Sequence, residues 1–418
     1  MKKIFSRELL TKVIVEHQQR LQSLEVITRD VMLEKNGNYV FTGLRRAGKT
    51  YLLYQYIQSS VSVENQENLL YINFEDERLL GIDVSDLDLF LEVYYSLHTA
   101  KPLICLDEVH VVPGWQLFAR RLADQDYRVM ITGSNAGMLS SDIATTLGGR
   151  YFNKEVMPLS FREFLKFQGI APSSTFAFSK ERFEIKRMYS EYLTYGGFPE
   201  LIKYTDKREY LSGVYQKLFY GDVIGRYQIA NQHALKLLVK KLAESVNNET
   251  SVNRIKNLVK STGVALGNNT LFDYLQHLHD AFLIMPVQNY YSKFSERESS
   301  KKYYFRDTGI LNLFLMDQNT KLLENLVFLN LYRKSNEIFF LKRALEVDFY
   351  VPDTGLLVQS CWTLSNPETR KREIKALAGA MKEFSLSESW IITHDETDEI
   401  DIPQGKIKVI PAWRWLLL

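Results

Sequence analysis

The sequence predicts an α/β chain with a covered parallel sheet over residues 1–200, a helical module over 201–306, and a second α/β domain over 307–418. Three observations predict it. In the first part, apolar runs of strand length alternate with runs of helical period, the signature of βαβ units and a parallel sheet. From about Phe161 to Tyr227, and again through 235–290, the period is mainly helical. From about Thr308 strand-like and helix-like runs mix again. At 418 residues the chain exceeds what one ordinary core serves, so two or three domains are expected.

Taken in order along the chain, residues 1–30 carry a lead-in amphipathic helix. NYVFTG is a strand, KTYLLYQYIQ a helix, NLLYINFE a strand and SDLDLFLEVYYSL a helix. KPLICLDE is a strand, GWQLFARRLAD a helix, YRVMITGSN a strand, and RYFNKEVMPLS a further strand ending at Pro158. The next, helical stretch breaks at GGFP, Gly196 to Pro199. LKLLVKKLAESV, VNRIKNLVKST and NTLFDYLQHLHDAF read as three helices before the strand LIMPVQNYY and its return strand KKYYFRD, a helix-turn-helix with a wing-like hairpin. The last part reads as helix KLLENLVFLNLYRK, strands EIFFLKR, EVDFYVP and LLVQSCW, helix PETRKREIKALAGAMKEF, and strands SWIITHD and KIKVIP.

Composition is that of a globular protein, 45% hydrophobic and 24% charged, with a formal net charge of +2. The charge is uneven: Lys and Arg exceed Asp and Glu by six over residues 201–310 (16 against 10) and fall two short on either side. The middle is therefore where nucleic acid would bind. Two cysteines, Cys105 and Cys361, make neither a disulfide framework nor a zinc site and suit a reducing compartment. Polar residues interrupt the basic start MKKIFSRELL, which does not read as a signal peptide, and no run of about 20 apolar residues spans a membrane. A cytoplasmic protein without a membrane partner is expected.

Gly43-Leu44-Arg45-Arg46-Ala47-Gly48-Lys49-Thr50 matches G-x-x-x-x-G-K-[ST] between a strand and a helix, the phosphate-binding loop. Backbone N–H groups from Gly43 to Tyr51 and the helix N-terminus would cradle the phosphates of ATP. Lys49 would reach the β- and γ-phosphates, and the Thr50 hydroxyl would hold Mg²⁺. Because the loop works through its backbone, Arg45 and Arg46 are free to point outward. About sixty residues on, the apolar strand LICLDE ends in Asp107 and Glu108. An acid at the end of a buried strand needs a cation partner, so Asp107 is the second magnesium ligand and Glu108 the general base for water. Ser134 and Asn135, at the end of the next strand, either contact the γ-phosphate or lytic water or cap a turn. Arg150, in GGR, is a candidate for stabilising transition-state charge, in cis or across a subunit interface.

GLRRAGKT, YINFEDERL, LDEVHVVPGWQLFARRL, ITGSNAGMLSSDIATTLGGRY and MPLSFREFL, in this order, resemble a family of bacterial and archaeal AAA+-like ATPases. Chains of that family usually end in a domain of unknown function resembling the restriction-endonuclease fold. The resemblance runs from about residue 20 to about 410. It implies Lys49 and Thr50 as nucleotide ligands, Asp107 and Glu108 as the magnesium and base pair, and a polar sensor at Ser134 or Asn135. It also favours Arg150, and Glu75 and Asp76 recur in its pattern, with packing or helix capping as their plain explanation.

In the basic middle, Lys236, Lys240, Lys241, Arg254, Lys256 and Lys260 lie on the first two helices, and Asn268, Asn269 and Thr270 open the third. Such a winged-helix module either binds duplex DNA or serves as a packing domain, and Asp273 and Asp280 oppose phosphate. His277 and His279, two apart on a helix, point in different directions and do not read as a metal pair.

Further on, Glu324 on a helix, Asp348 on a strand and Gln359 on the next strand match the layout of metal-dependent nucleases, with Glu346 an alternative second acid. Gln359-Ser360-Cys361 stands where such enzymes carry E-x-K. Lys342, Arg370 or Lys371 could supply the charge in space, but the favoured reading is a degenerate site kept for DNA or protein contact. The chain as a whole then reads as a Mg²⁺-dependent ATPase coupling turnover to conformational change on DNA. A slow nucleotide switch acting on a protein partner and an ATP-gated nuclease are the alternatives. A homo-oligomer is implied if Arg150 acts between subunits.

Overall fold

A computed structural model describes residues 5–22, 24–60, 68–134, 145–261, 263, 266–316 and 319–418. The chain divides into two units, Met1–Met157 and Pro158–Leu418.

In the first unit five strands, β1 (Asn38–Thr42), β2 (Leu69–Asn73), β3 (Leu103–Asp107), β4 (Arg128–Thr132) and β5 (Tyr151–Glu155), form one sheet in the order β2-β3-β4-β1-β5. Every pairing is parallel. The helices α1 (Arg7–Gln22), α2 (Lys49–Ser60), α3 (Asp88–Leu97) and α4 (Trp115–Asp124) accompany it. The inner strands are mainly apolar between polar ends because parallel strands bury both faces, and all five residues of β3 are buried. Val40, Ile72, Ile104 and Ile131 share a core with Phe90 of α3 and Phe118 and Leu122 of α4. Since the strands run one way, their carboxyl ends share one edge. There β1 leads into Gly43, β3 delivers Asp107 and β4 delivers Thr132, the usual ligand edge of an open α/β sheet.

In the second unit nine strands form a mixed sheet in the order β13-β14-β12-β11-β10-β9-β7-β8-β6. They are β6 (Thr250–Ser251), β7 (Ile284–Asn289), β8 (Ser300–Phe305), β9 (Phe339–Lys342), β10 (Glu346–Val351), β11 (Leu356–Ser360), β12 (Glu388–Thr393), β13 (Asp398–Ile402) and β14 (Gly405–Pro411). The helices Gln232–Glu244, Val252–Lys260 and Asn268–Asp280 precede the β7–β8 hairpin, to which β6 adds a short third strand.

The division lies well before residue 200, and the sheet runs across residue 306, through the pairing of β7 with β9. Asp307 gives a physical reason. Its buried carboxylate accepts hydrogen bonds from the Gly197 N–H (2.8 Å) and the Ile310 N–H (3.1 Å). A side chain on Gly309 would lie 2.1 Å from the Tyr195 carbonyl oxygen. GGFP is thus clamped to the segment after β8, so residues 158–200 belong to the second unit and not to the parallel sheet. The edge strand β13, in the acidic run DETDEIDI, is an element the sequence reading did not separate. Among the described residues no helix is long and apolar enough to cross a membrane.

Candidate functional site

The phosphate loop is shaped by backbone geometry that few residue types allow. Gly43 has φ +142° and presses against β5's exit: a Cβ there would lie 2.3 Å from the Val156 carbonyl oxygen. Gly48 (φ +96°) and Arg46 (φ +63°) are also left-handed, and for Arg46 that conformation costs about 1–3 kcal/mol. Arg29, buried and outside the motif, donates from Nη1 to the Ala47 carbonyl (3.0 Å) and so braces the loop from behind. Arg45 reaches away from the loop, its Nη1 3.3 Å from Glu75 Oε1, while the Tyr51 ring is half-exposed.

Lys49 opens α2 and is 4% exposed, its ammonium donating to the carbonyls of Gly43 (3.1 Å) and Leu44 (3.2 Å). Those are loop carbonyls, so the ammonium is held over the cradle by interactions a phosphate can replace. The Thr50 hydroxyl donates to Asp107 Oδ1 (3.1 Å), which also accepts from Thr132 Oγ1 (2.5 Å), and Tyr71 donates to Oδ2 (2.7 Å). Burial raises the Asp107 pKa to about 6, with the Glu108 charge adding to the rise and these three hydroxyls opposing it. An acid so destabilised in its charged form suits a cation beside it.

Glu108 sits in left-handed backbone (φ +53°) and its N–H donates to Thr132 Oγ1 (2.9 Å). That turn carries its carboxylate to 4.0 Å from Lys49 Nζ and 3.1 Å from His110 Nδ1. Burial opposes its ionisation, but contact with His110 and the charges of Lys49 and Arg45 outweigh burial and hold the pKa at about 2. Glu108 is therefore ionised at neutral pH, as a general base must be. Ser134 Oγ and Thr42 Oγ1 are buried at the same edge with no hydrogen-bond partner among the described residues. Asn135 lies outside the described residues. The loop, Lys49, the Thr50–Asp107 pair and the orphaned Ser134 hydroxyl all fit a nucleotide with Mg²⁺; Thr50 and Asp107 would hold the ion.

Arg150 is placed elsewhere. It precedes β5, whose first residue pairs with Asn38 at the start of β1, and its Nε lies 2.5 Å from Asp124. A five-residue strand, roughly 13–17 Å long, separates it from the loop. In this structure its guanidinium is engaged by Asp124 at the amino end of β5 and not by the phosphate loop. Asp76 serves structure: it caps the turn Glu77–Leu79 and pairs with Arg78 at 2.7 Å.

In the second unit the nuclease-like residues do converge, around a lysine that the sequence reading missed. Lys302 of β8, fully buried, places Nζ 3.3 Å from Glu324, 2.9 Å from Glu346 and 3.2 Å from Asp348. Tyr304 donates to Glu324 (2.8 Å), and Ser360 N–H to Asp348 Oδ2 (2.9 Å). Gln359 accepts from the Asp348 N–H (3.1 Å) and donates to Glu373 (2.7 Å). Burial, together with the Asp348 charge, raises the Glu324 pKa to about 7, against the pull of Lys302. Lys342 touches only the rim, at 3.3 Å from Glu346, and Arg370 pairs with Asp398 instead. The ammonium fills the space between the acids, and only Glu346 is appreciably exposed. KKYYFRD was readable as the return strand of a hairpin, but nothing local marked Lys302 as a buried charge.

Residues 35–165 match the model of a family described as an AAA domain, and residues 186–321 that of a domain of unknown function (DUF8612). The uncharacterized protein MJ1544 of Methanocaldococcus jannaschii is 34% identical over 98% of this chain and 95% of its own. An uncharacterized protein of Haemophilus influenzae is 30% identical over 82% of this chain and 87% of its own. Among solved structures, the Walker-type ATPase PABY2304 of Pyrococcus abyssi is similar with a TM-score of 0.40 at 12% identity, covering 74% of this chain and 96% of that one.

Proposed function

The chain belongs to the bacterial and archaeal family of AAA+-like P-loop ATPases that includes MJ1544, and on that premise we propose that it binds ATP with Mg²⁺ and hydrolyses it, coupling turnover to conformational change on DNA. One observation carries the hydrolytic part: an ionised Glu108 stands 4.0 Å from the Lys49 ammonium, beside a Thr50–Asp107 pair.

Backbone N–H groups of the loop hold the phosphates, and Lys49 leaves the carbonyls of Gly43 and Leu44 to meet them. Magnesium, when bound, supplies positive charge against the phosphate oxygens. Glu108 takes a proton from water at its carboxylate, and the buried hydroxyl of Ser134 gains a partner in the nucleotide or that water. The basic middle, with its three helices and hairpin, supports a winged-helix module and hence the DNA part of the reading. The carboxylate cluster around Lys302 supports a non-cleaving role for the last domain, since an ammonium already neutralises what a metal would.

ATPase assays with no DNA and with duplex, forked and single-stranded DNA test this. Turnover lost in Lys49→Ala and stimulated by DNA is expected. A rate indifferent to every DNA form would remove the DNA part and favour a nucleotide switch acting on a protein partner.

A further inference from the structure

The helix Lys207–Lys217 runs on through a π-helical stretch, Leu218–Gly225, and with the helix Gln232–Glu244 it encloses a cleft of about 420 Å³. Arg208, Lys236 and Lys240 line it, and no carboxylate among the described residues does. The contrast with their neighbours is specific. Lys207 pairs with Glu191, Lys241 with Glu244 at 2.6 Å, and Arg226 with Asp222 at 3.8 Å. The three cleft cations have no acidic partner among the described residues. Lys236 and Lys240, one helical turn apart, project from the same face at about 5–6 Å spacing. Like charges held together without counter-charge repel one another, and an anion removes that cost.

The cleft is also aromatic. Tyr215 meets Phe314 edge-on at 4.9 Å and Phe219 at 5.4 Å, forming its floor. The Tyr220 ring is 44% exposed, with the Lys236 ammonium 5.2 Å from its centroid. A π-helical stretch is rare, and such turns are frequently found at functional sites. Cations beside an open ring match a phosphate joined to a planar base. The cleft volume suits one unstacked base.

We propose that this cleft binds single-stranded nucleic acid, stacking a base on Tyr220 and holding successive phosphates on Arg208, Lys236 and Lys240. The proposal deepens the DNA reading above and rests on it. It separates Lys236 and Lys240 from the helix Asn268–Asp280, the expected groove-reading element, and assigns them to a strand that is not base-paired.

Fluorescence anisotropy of the full-length chain with a labelled oligo-dT tests it over a salt series. Lys236→Ala/Lys240→Ala is expected to weaken binding and to reduce the salt slope by about 1.4, two single-strand contacts. Tyr220→Ala is expected to weaken binding about tenfold with the slope unchanged. Lys241→Ala, which loses only its ion pair with Glu244, should bind as the parent does. Melting curves verify that the variants fold. Parental binding by both cleft variants overturns the proposal. ATPase stimulation by duplex alone, equal in parent and Lys236→Ala/Lys240→Ala, overturns the cleft and leaves the DNA reading standing. No binding or stimulation by any DNA form overturns both.

Discussion

Lys302 Nζ lies 3.2 Å from Asp348 Oδ1 in the interior of the nine-stranded sheet, joining two strands that are not neighbours in it. Removing the ammonium leaves Glu324 and Asp348 buried without a counter-charge. Lys302→Met is therefore expected to destabilise the chain by about 3–5 kcal/mol. Adding Glu324→Gln and Asp348→Asn should recover most of the loss. Urea unfolding of the three proteins at neutral pH measures this; a single variant as stable as the parent would sink the ion-cluster account.

Ser134 tests the nucleotide edge without disturbing its fold. Its hydroxyl is buried and unpartnered, so Ser134→Ala removes no hydrogen bond among the described residues. The nucleotide-free variant should melt within a degree or two of the parent, while its affinity for ATP or its turnover falls about tenfold. Unchanged affinity and turnover would mean the hydroxyl faces nothing in the reaction.

Asp107 makes stability depend on pH with a definite sign. The carboxyl ionises near pH 4 when unfolded but only at about 6 when folded. Stability from this group is full below pH 4 and is lost as pH rises to 6, by about 3 kcal/mol in all. Asp107→Asn cannot ionise, so its stability relative to the parent should climb between pH 4 and 6 and then level off. Urea midpoints of both proteins at pH 4, 5, 6 and 7.5 give the difference, and a constant one would contradict the burial argument.

Glu108→Gln separates binding from chemistry. The amide keeps the shape of the carboxylate and loses its basicity. Turnover should drop by about 10²–10⁴, with ATP still bound. A variant that hydrolyses at the parental rate would reassign the base.

Legibility in the sequence depended on how local each relationship is. GLRRAGKT and LICLDE carry their meaning within a few residues, and β1, α2 and β3 set them at one edge of one sheet. Arg150 shows the limit: the motif around it was readable, but the strand that places it at the far edge acts through pairing with Asn38. Lys302 shows it more sharply. Its partners come from a helix and a strand up to 46 residues away, so the expected replacement for E-x-K was sought at Lys342, Arg370 and Lys371, downstream of Lys302 in the chain. The acidic run of β13 hides a strand because an edge strand is kept charged on purpose.

Gly43 and Val156 meet with no room for a methyl group, and the Val156 N–H donates to the Thr42 carbonyl at 2.7 Å. Val156 is also the penultimate residue of the first unit. The first peptide of the phosphate cradle and the chain's way out of that unit are thus one mechanical joint. Any displacement of Gly43 must either drag Val156 along or break that hydrogen bond. A residue with a side chain at position 43 would collide with the Val156 carbonyl, so the entry to the cradle and the exit of β5 can change only together.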